Sequence, residues 1–120
     1  MTTETQKTNV LLIVADDMGY GDFGTFNPGV VQTPNLDELL VQGTCFRQHY
    51  SASPICSPAR ASLVTGRVPQ RTGAITQHEL HGLDRIALRE VTMADMFQSS
   101  GYSTGLVGKW HNGALDRRYE

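Results

Sequence analysis

Charge is scarce in this sequence, and neither sign dominates. Charged residues make up 18% of the 120 positions, ten Lys and Arg stand against twelve Asp and Glu, and the net charge is -2. That balance gives no general pull toward nucleic acid or an anionic membrane. Cysteine is also scarce: Cys45 and Cys56 are the only two, too few for a disulfide framework. Cys45 lies in a strand-like stretch, Thr44 to Tyr50, and reads as a buried structural thiol; a Cys45–Cys56 bridge is the less favoured alternative. Long apolar runs are missing, since Val10 to Val14 is far too short to span a membrane. The start, Met1 to Thr8, is polar and lacks the apolar core of a signal peptide. As written, the chain reads as soluble and cytoplasmic, with no membrane partner.

What is present suffices for a folded chain. A hydrophobic content of 39% fits a globular domain, and twelve glycines with five prolines imply many tight turns. The length suits one small domain or part of a larger one. After the polar leader of residues 1–8, Asn9 to Ala15 reads as a strand buried on both faces. It ends in Asp16-Asp17 and a glycine-rich loop. Thr33 is placed to cap a helix that starts at Pro34, carries Leu36, Leu39 and Leu40 on one face and stops at Gly43. The strand-like Thr44–Tyr50 follows. Val68 to Arg89 is irregular and reads mostly as loop. Thr92-Met93-Ala94-Asp95 forms a capping-box pattern that opens a helix with Met93, Met96 and Phe97 inward and Gly101 at its end. Tyr102 to Val107 reads as another strand. Strands alternating with helices predict an α/β layered fold with a largely parallel sheet, and no domain boundary is evident within it.

The chemistry gathers on three stretches. In Cys56-Ser57-Pro58-Ala59-Arg60, Ser57 is a natural N-cap and Pro58 suits the first helical position, with Gly66 available to end the helix. Cys56 then sits at a helix N-terminus, where unpaired N–H groups gather anions, and Arg60 returns to the same end one turn later. A nucleophile-type side chain, backbone donors and a guanidinium there form a holder for an oxyanion. Asp16 and Asp17 are adjacent carboxylates at a strand end; a cation relieves their repulsion, and hard oxygen donors favour Ca²⁺ or Mg²⁺. Without a cation the pair is a turn of solvated acids. Lys109 and His111, spaced i and i+2, share a side if the backbone is extended, and a cation with an imidazole suits oxyanion binding and proton transfer. In a parallel sheet, Asp16, Asp17, Lys109 and His111 all follow carboxyl ends of strands, the edge where ligands collect.

Two other patterns are weaker. Gly19-Tyr20-Gly21-Asp22-Phe23-Gly24 satisfies the dinucleotide fingerprint after a strand, but three aspartates and no helix start behind Gly24 argue against a pyrophosphate. His78-Glu79-Leu80-His81 places its histidines three apart where a zinc protease helix needs four, and reads as loop.

Cys56-Ser57-Pro58-Ala59-Arg60 with Leu63-Val64-Thr65-Gly66-Arg67 resembles the maturation signature of the type I sulfatases. Asp16 to Asp22, Thr33 to Asp37 with Gly43 and Phe46, and Thr92 through Gly108-Lys109-Trp110-His111 extend the resemblance over nearly the whole chain. It implies that residues 9–120 are the N-terminal part of a sulfatase catalytic domain of the alkaline phosphatase superfamily. By that resemblance a formylglycine-generating enzyme oxidises Cys56 to formylglycine, whose hydrate attacks the sulfur of a sulfate ester, small or carbohydrate-borne. Asp16, Asp17 and the modified Cys56 would bind a divalent cation, usually Ca²⁺ with Mg²⁺ as the variant. Arg60 and Lys109 would stabilise charge on the sulfate, and His111 would orient the hydrate or take its proton. Sulfatases are several times longer, and further cation and sulfate ligands come later in them. The expectation is therefore an unfinished sheet with poor independent stability. A phosphate or phosphonate monoester hydrolase of the same superfamily and a non-catalytic anion-binding fragment are the alternatives.

Overall fold

The computed structural model describes residues 7–78 and 83–113. The chain divides into two compact units, Met1–Cys45 and Phe46–Glu120.

The first unit is organised around α1, Pro34–Gln42, which starts and stops where the proline and Gly43 predict. Thr33 occupies the cap position, yet its hydroxyl does not bond the helix backbone. It accepts from the Gly24 N–H at 2.7 Å and donates to Asp37 Oδ1 at 3.1 Å. Asp37 Oδ1 also accepts from the Thr25 N–H at 3.0 Å and the Thr25 hydroxyl at 2.7 Å. The loop after the acidic pair is thereby tied to the first turn of α1. These donors hold the Asp37 carboxyl below the usual carboxylate range, the Thr25 hydroxyl contributing most and burial opposing it. Gly24 is required by close approach: a Cβ there would lie 2.6 Å from Asp37 Oδ2 and 3.1 Å from the Val31 carbonyl. The third glycine of the dinucleotide-like pattern thus serves loop packing, and no helix opens behind it until Pro34. A short 3-10 turn, Tyr20–Asp22, precedes it, with the Tyr20 ring stacked on Phe26 at 4.1 Å.

The second unit contains α2 (Cys56–Thr65), α3 (Pro69–Thr72) and α4 (Met93–Ser99), and α2 contacts both of the others. Its core is made of small residues. Ser57, Pro58, Ala61, Pro69, Thr72 and Ala74 are buried. The α3 turn lies inside the stretch expected to be loop. Thr72 closes it by donating to the Pro69 carbonyl at 2.8 Å, while its own carbonyl accepts from the Ala87 N–H at 2.8 Å. Helix α4 has the expected capping box, in which Thr92 Oγ1 accepts from the Asp95 N–H and Asp95 Oδ2 accepts from the Thr92 N–H at 2.7 Å. Phe97 is half-buried and meets Tyr102 edge-on at 5.1 Å, but Met96 faces solvent.

Two expectations need correction. No strand forms among the described residues, so Asn9–Ala15, Thr44–Tyr50 and Tyr102–Val107 are irregular. A strand is completed by a neighbour's N–H and C=O groups, and no described segment supplies them to these three. The run Val10 to Val14 is consequently exposed, Leu11 to 84% and Ile13 to 79%. Cys45 is exposed rather than buried, and both cysteines are free thiols. Of His78 to His81 only His78 is described, as an exposed residue; the other three lie outside the described residues.

Candidate active site

The residues singled out by chemistry fall in both units: Asp16 and Asp17 in the first, Cys56, Arg60, Lys109 and His111 in the second.

Helix α2 begins two residues earlier than its sequence signals predict. Cys56 is its first residue and Ile55 takes the cap position, with φ -108° and ψ 140°. The Ile55 carbonyl accepts the first helical bond, from the Ala59 N–H at 3.0 Å. Pro58 in the first turn removes only an N–H that has no partner within the helix. Ser57 is therefore not the cap. Its buried hydroxyl donates to the Asp84 carbonyl at 2.8 Å and pins the start of α2 to the 84–87 loop. Cys56 is half-buried at the mouth of the helix, where N–H groups of the first turn lack helical partners. At the other end Gly66 adopts φ 67°, the left-handed geometry of a glycine cap.

Arg60 lies one turn after Cys56 and reaches out of the helix. Its Nη1 donates to the Lys109 backbone carbonyl at 2.7 Å. One guanidinium thus connects the cysteine helix to the segment that carries Lys109 and His111, residues 49 positions apart in sequence. Lys109 itself is exposed, and His111 is half-buried. His111 has φ 55°, so the segment is not extended there and the i, i+2 alternation does not set its direction. The Asn112 carbonyl accepts from the Ile86 N–H, which fixes the far side of the same segment.

A second arginine braces the unit. Arg67 Nη1 contacts both carboxylate oxygens of Glu90, at 2.8 and 2.6 Å, and the Glu90 side chain is 1% exposed. Sequence reading gave Glu90 no role; its only advance signal was an acid shortly before the α4 capping box. Asn112, one place past the histidine, was likewise unassigned, although it is buried.

Asp16 and Asp17 are exposed at a bend, and Asp17 adopts φ 64°, a left-handed conformation that short polar side chains tolerate. Among the described residues no group of three or more His, Cys, Asp or Glu is arranged to hold a metal. The donor chemistry of the pair fits Ca²⁺ or Mg²⁺, but two carboxylates supply only part of the roughly six to eight oxygens that calcium takes. No helix among the described residues is long and apolar enough to cross a membrane.

The sulfatase family model matches residues 8–120. Human arylsulfatase D is 40% identical over 118 residues, covering 93% of this chain and 20% of that protein. Rat steryl-sulfatase is 41% identical over 111 residues, covering 88% and 19%. Pig N-acetylgalactosamine-6-sulfatase is 38% identical over 122 residues, covering 94% and 23%. The chain thus spans about a fifth of the length of the relatives it matches. An α/β fold of the alkaline phosphatase kind accompanies such a match. On the extent of the family match and these identities, the chain belongs to the sulfatase family.

Proposed function

We propose that this chain is part of the catalytic domain of a sulfuric ester hydrolase, with residues 9–120 contributing Cys56, Arg60, Lys109 and His111 to the reacting centre and Asp16 and Asp17 to a cation site. The observation that carries the reading is the Arg60–Lys109 hydrogen bond, which joins the cysteine helix to the Lys-Trp-His segment. In the complete domain the exposed 9–15, 44–50 and 102–107 segments would enter a largely parallel sheet.

Formylglycine made from Cys56 by a maturation enzyme would supply a hydrated aldehyde as the nucleophile toward sulfur. The remaining roles belong to this chain's own groups. The first turn of α2 offers backbone N–H donors to an anion beside residue 56. Arg60 anchors the 109–111 backbone and presents positive charge one turn from the nucleophile. Lys109, which is exposed, would pair with a sulfate oxygen as a point charge. His111 would orient the hydrate or accept its proton. Asp16 and Asp17 would hold part of the coordination of a calcium or magnesium ion, whose charge offsets that of the sulfate. The substrate is a sulfate ester of a small molecule or carbohydrate, as the names of the relatives suggest.

Maturation is the direct test. The peptide containing Cys56, from protein made alongside a formylglycine-generating enzyme, is expected to carry an aldehyde by mass spectrometry; an unmodified thiol would overturn the reading. In the protein that carries this chain, Cys56→Ala should reduce aryl sulfate hydrolysis to background. Preference for aryl phosphate over aryl sulfate would instead make it a phosphomonoester hydrolase.

A further inference from the structure

We infer that Ser57 is a positioning residue for the candidate site: through the 84–87 loop its hydroxyl fixes the placement of His111 relative to residue 56. The consequence for turnover rests on the sulfatase reading; the mechanical link does not.

Ser57 is fully buried, and a buried hydroxyl needs a partner. The Ser62 hydroxyl, in the same helix, bonds back to the Pro58 carbonyl at 3.1 Å. That of Ser57 leaves the helix and donates to the Asp84 carbonyl at 2.8 Å. The loop that receives it is held on two further sides. Toward α3, the Ala87 N–H donates to the Thr72 carbonyl at 2.8 Å, and the Arg85 carbonyl lies 3.1 Å from where a Cβ on Gly73 would stand. Toward the histidine segment, the Ile86 N–H donates to the Asn112 carbonyl at 3.5 Å, beyond the usual range of such bonds. The backbone nevertheless closes up beside it, since a Cβ on Gly113 would lie 3.1 Å from Arg85 Cβ.

His111 therefore lies between two attachments to the same helix. On one side Arg60 Nη1 donates directly to the Lys109 carbonyl at 2.7 Å. On the other, Ser57 acts on Asn112 and Gly113 through the 84–87 loop. A single attachment leaves a segment able to pivot, whereas two set both its distance and its angle. Lys109 depends on the first attachment alone, and His111 depends on both. Removing the Ser57 hydroxyl should move His111 relative to residue 56 while Lys109 stays anchored. Rates are sensitive to such shifts, because about 1 Å of misplacement costs roughly 100-fold.

The test compares Ser57→Ala with Ser62→Ala, which removes a hydroxyl from the same helix without touching the loop. In ¹⁵N–¹H spectra of the full chain, Ser57→Ala is expected to speed exchange of the Ile86 amide and to shift the His111 and Asn112 amides. Ser62→Ala should leave all three at their wild-type values. Unmoved signals in Ser57→Ala, or equal movement in Ser62→Ala, overturn the proposal. If Ser57→Ala does not fold, wild type decides: the Ile86 amide and the Ala59 amide at the start of α2 should lose protection at the same urea concentration, and separate losses refute the link. In the protein that carries this chain, kcat on an aryl sulfate is counted per molecule bearing the Cys56 aldehyde, so that lost maturation is not mistaken for lost positioning. Ser57→Ala should lower kcat about 10- to 100-fold at unchanged KM, and Ser62→Ala should alter neither. A wild-type kcat in Ser57→Ala, or a loss confined to KM, overturns the positioning role. Absence of the aldehyde from wild type refutes the sulfatase reading and leaves the amide result standing.

Discussion

The two units reach order by different routes. The first holds the most apolar run of the chain, Val10 to Val14, yet none of its described residues is buried. Its order comes from hydrogen bonds that converge on Asp37 and from stacked rings. The second buries alanine, serine, threonine and proline beneath α2, and with them a carboxylate paired to Arg67. Hydrophobicity of a segment is thus a poor guide to its burial here. A small residue on a helix can be covered by its immediate neighbours, whereas a strand needs a partner surface on each face.

The difference can be tested by removing what each unit depends on. The largest effect is expected from Arg67→Ala, which removes the Nη1 that contacts both oxygens of the buried Glu90 carboxylate and leaves only Arg89 Nε, at 3.9 Å. A buried charge stripped of its partner costs about 3–5 kcal/mol, and the half-exposed Arg67 places this case at roughly 2–3. Urea unfolding of the second unit measures it, and an unchanged midpoint would remove the ion pair from the account. In the first unit Gly24→Ala should cost about 1–3 kcal/mol, because a methyl group must displace Asp37 and backbone atoms together. Loss of the Thr25 and Thr33 amide signals from their native positions would report it. Thr92→Ala removes the α4 cap for about 1 kcal/mol, read as fraying of residues 93–95 by hydrogen exchange.

The smallest effect is a pH dependence found in both units. Asp37 and Asp95 are each held below the usual carboxylate range by hydrogen bonds, chiefly from the Thr25 and Thr92 hydroxyls. A depressed folded pKa means the unfolded chain takes up protons first as pH falls. The contribution is whole at neutral pH and fades as pH drops through the depressed values. Acid titration followed by NMR should show the Thr92–Asp95 and Thr25–Asp37 contacts loosening only below the normal aspartate range. Loosening near neutrality would contradict the hydrogen-bond account.

Legibility in the sequence followed the range of the forces involved. Helices α1 and α4 were readable to within about two residues because proline, glycine and the capping box act over one turn. The start of α2 was misplaced by two residues, because the Ser57 hydroxyl donates to the distant Asp84 carbonyl and does not cap its own helix. The α3 turn was missed although Pro69 and Gly73 mark its ends, because four residues are too few to show a helical period. At the candidate site, motif spacing singled out Cys56, Arg60, Lys109 and His111 as candidates but could not reveal how Arg60 meets the Lys109 backbone.

The residue types, their order and the local caps were fixed along the chain: which cysteine opens a helix, which arginine lies one turn on, and which motif follows the last apolar segment. Contacts across many residues had to wait for the fold. Arg60 reaching Lys109, Arg67 closing on Glu90 and the burial of Asn112 depend on where the backbone returns in space, and side-chain identity does not encode that locally. The apolar segments show the same limit from the other side. Their sequence favours extended backbone, but a sheet exists only where a second strand offers its hydrogen bonds.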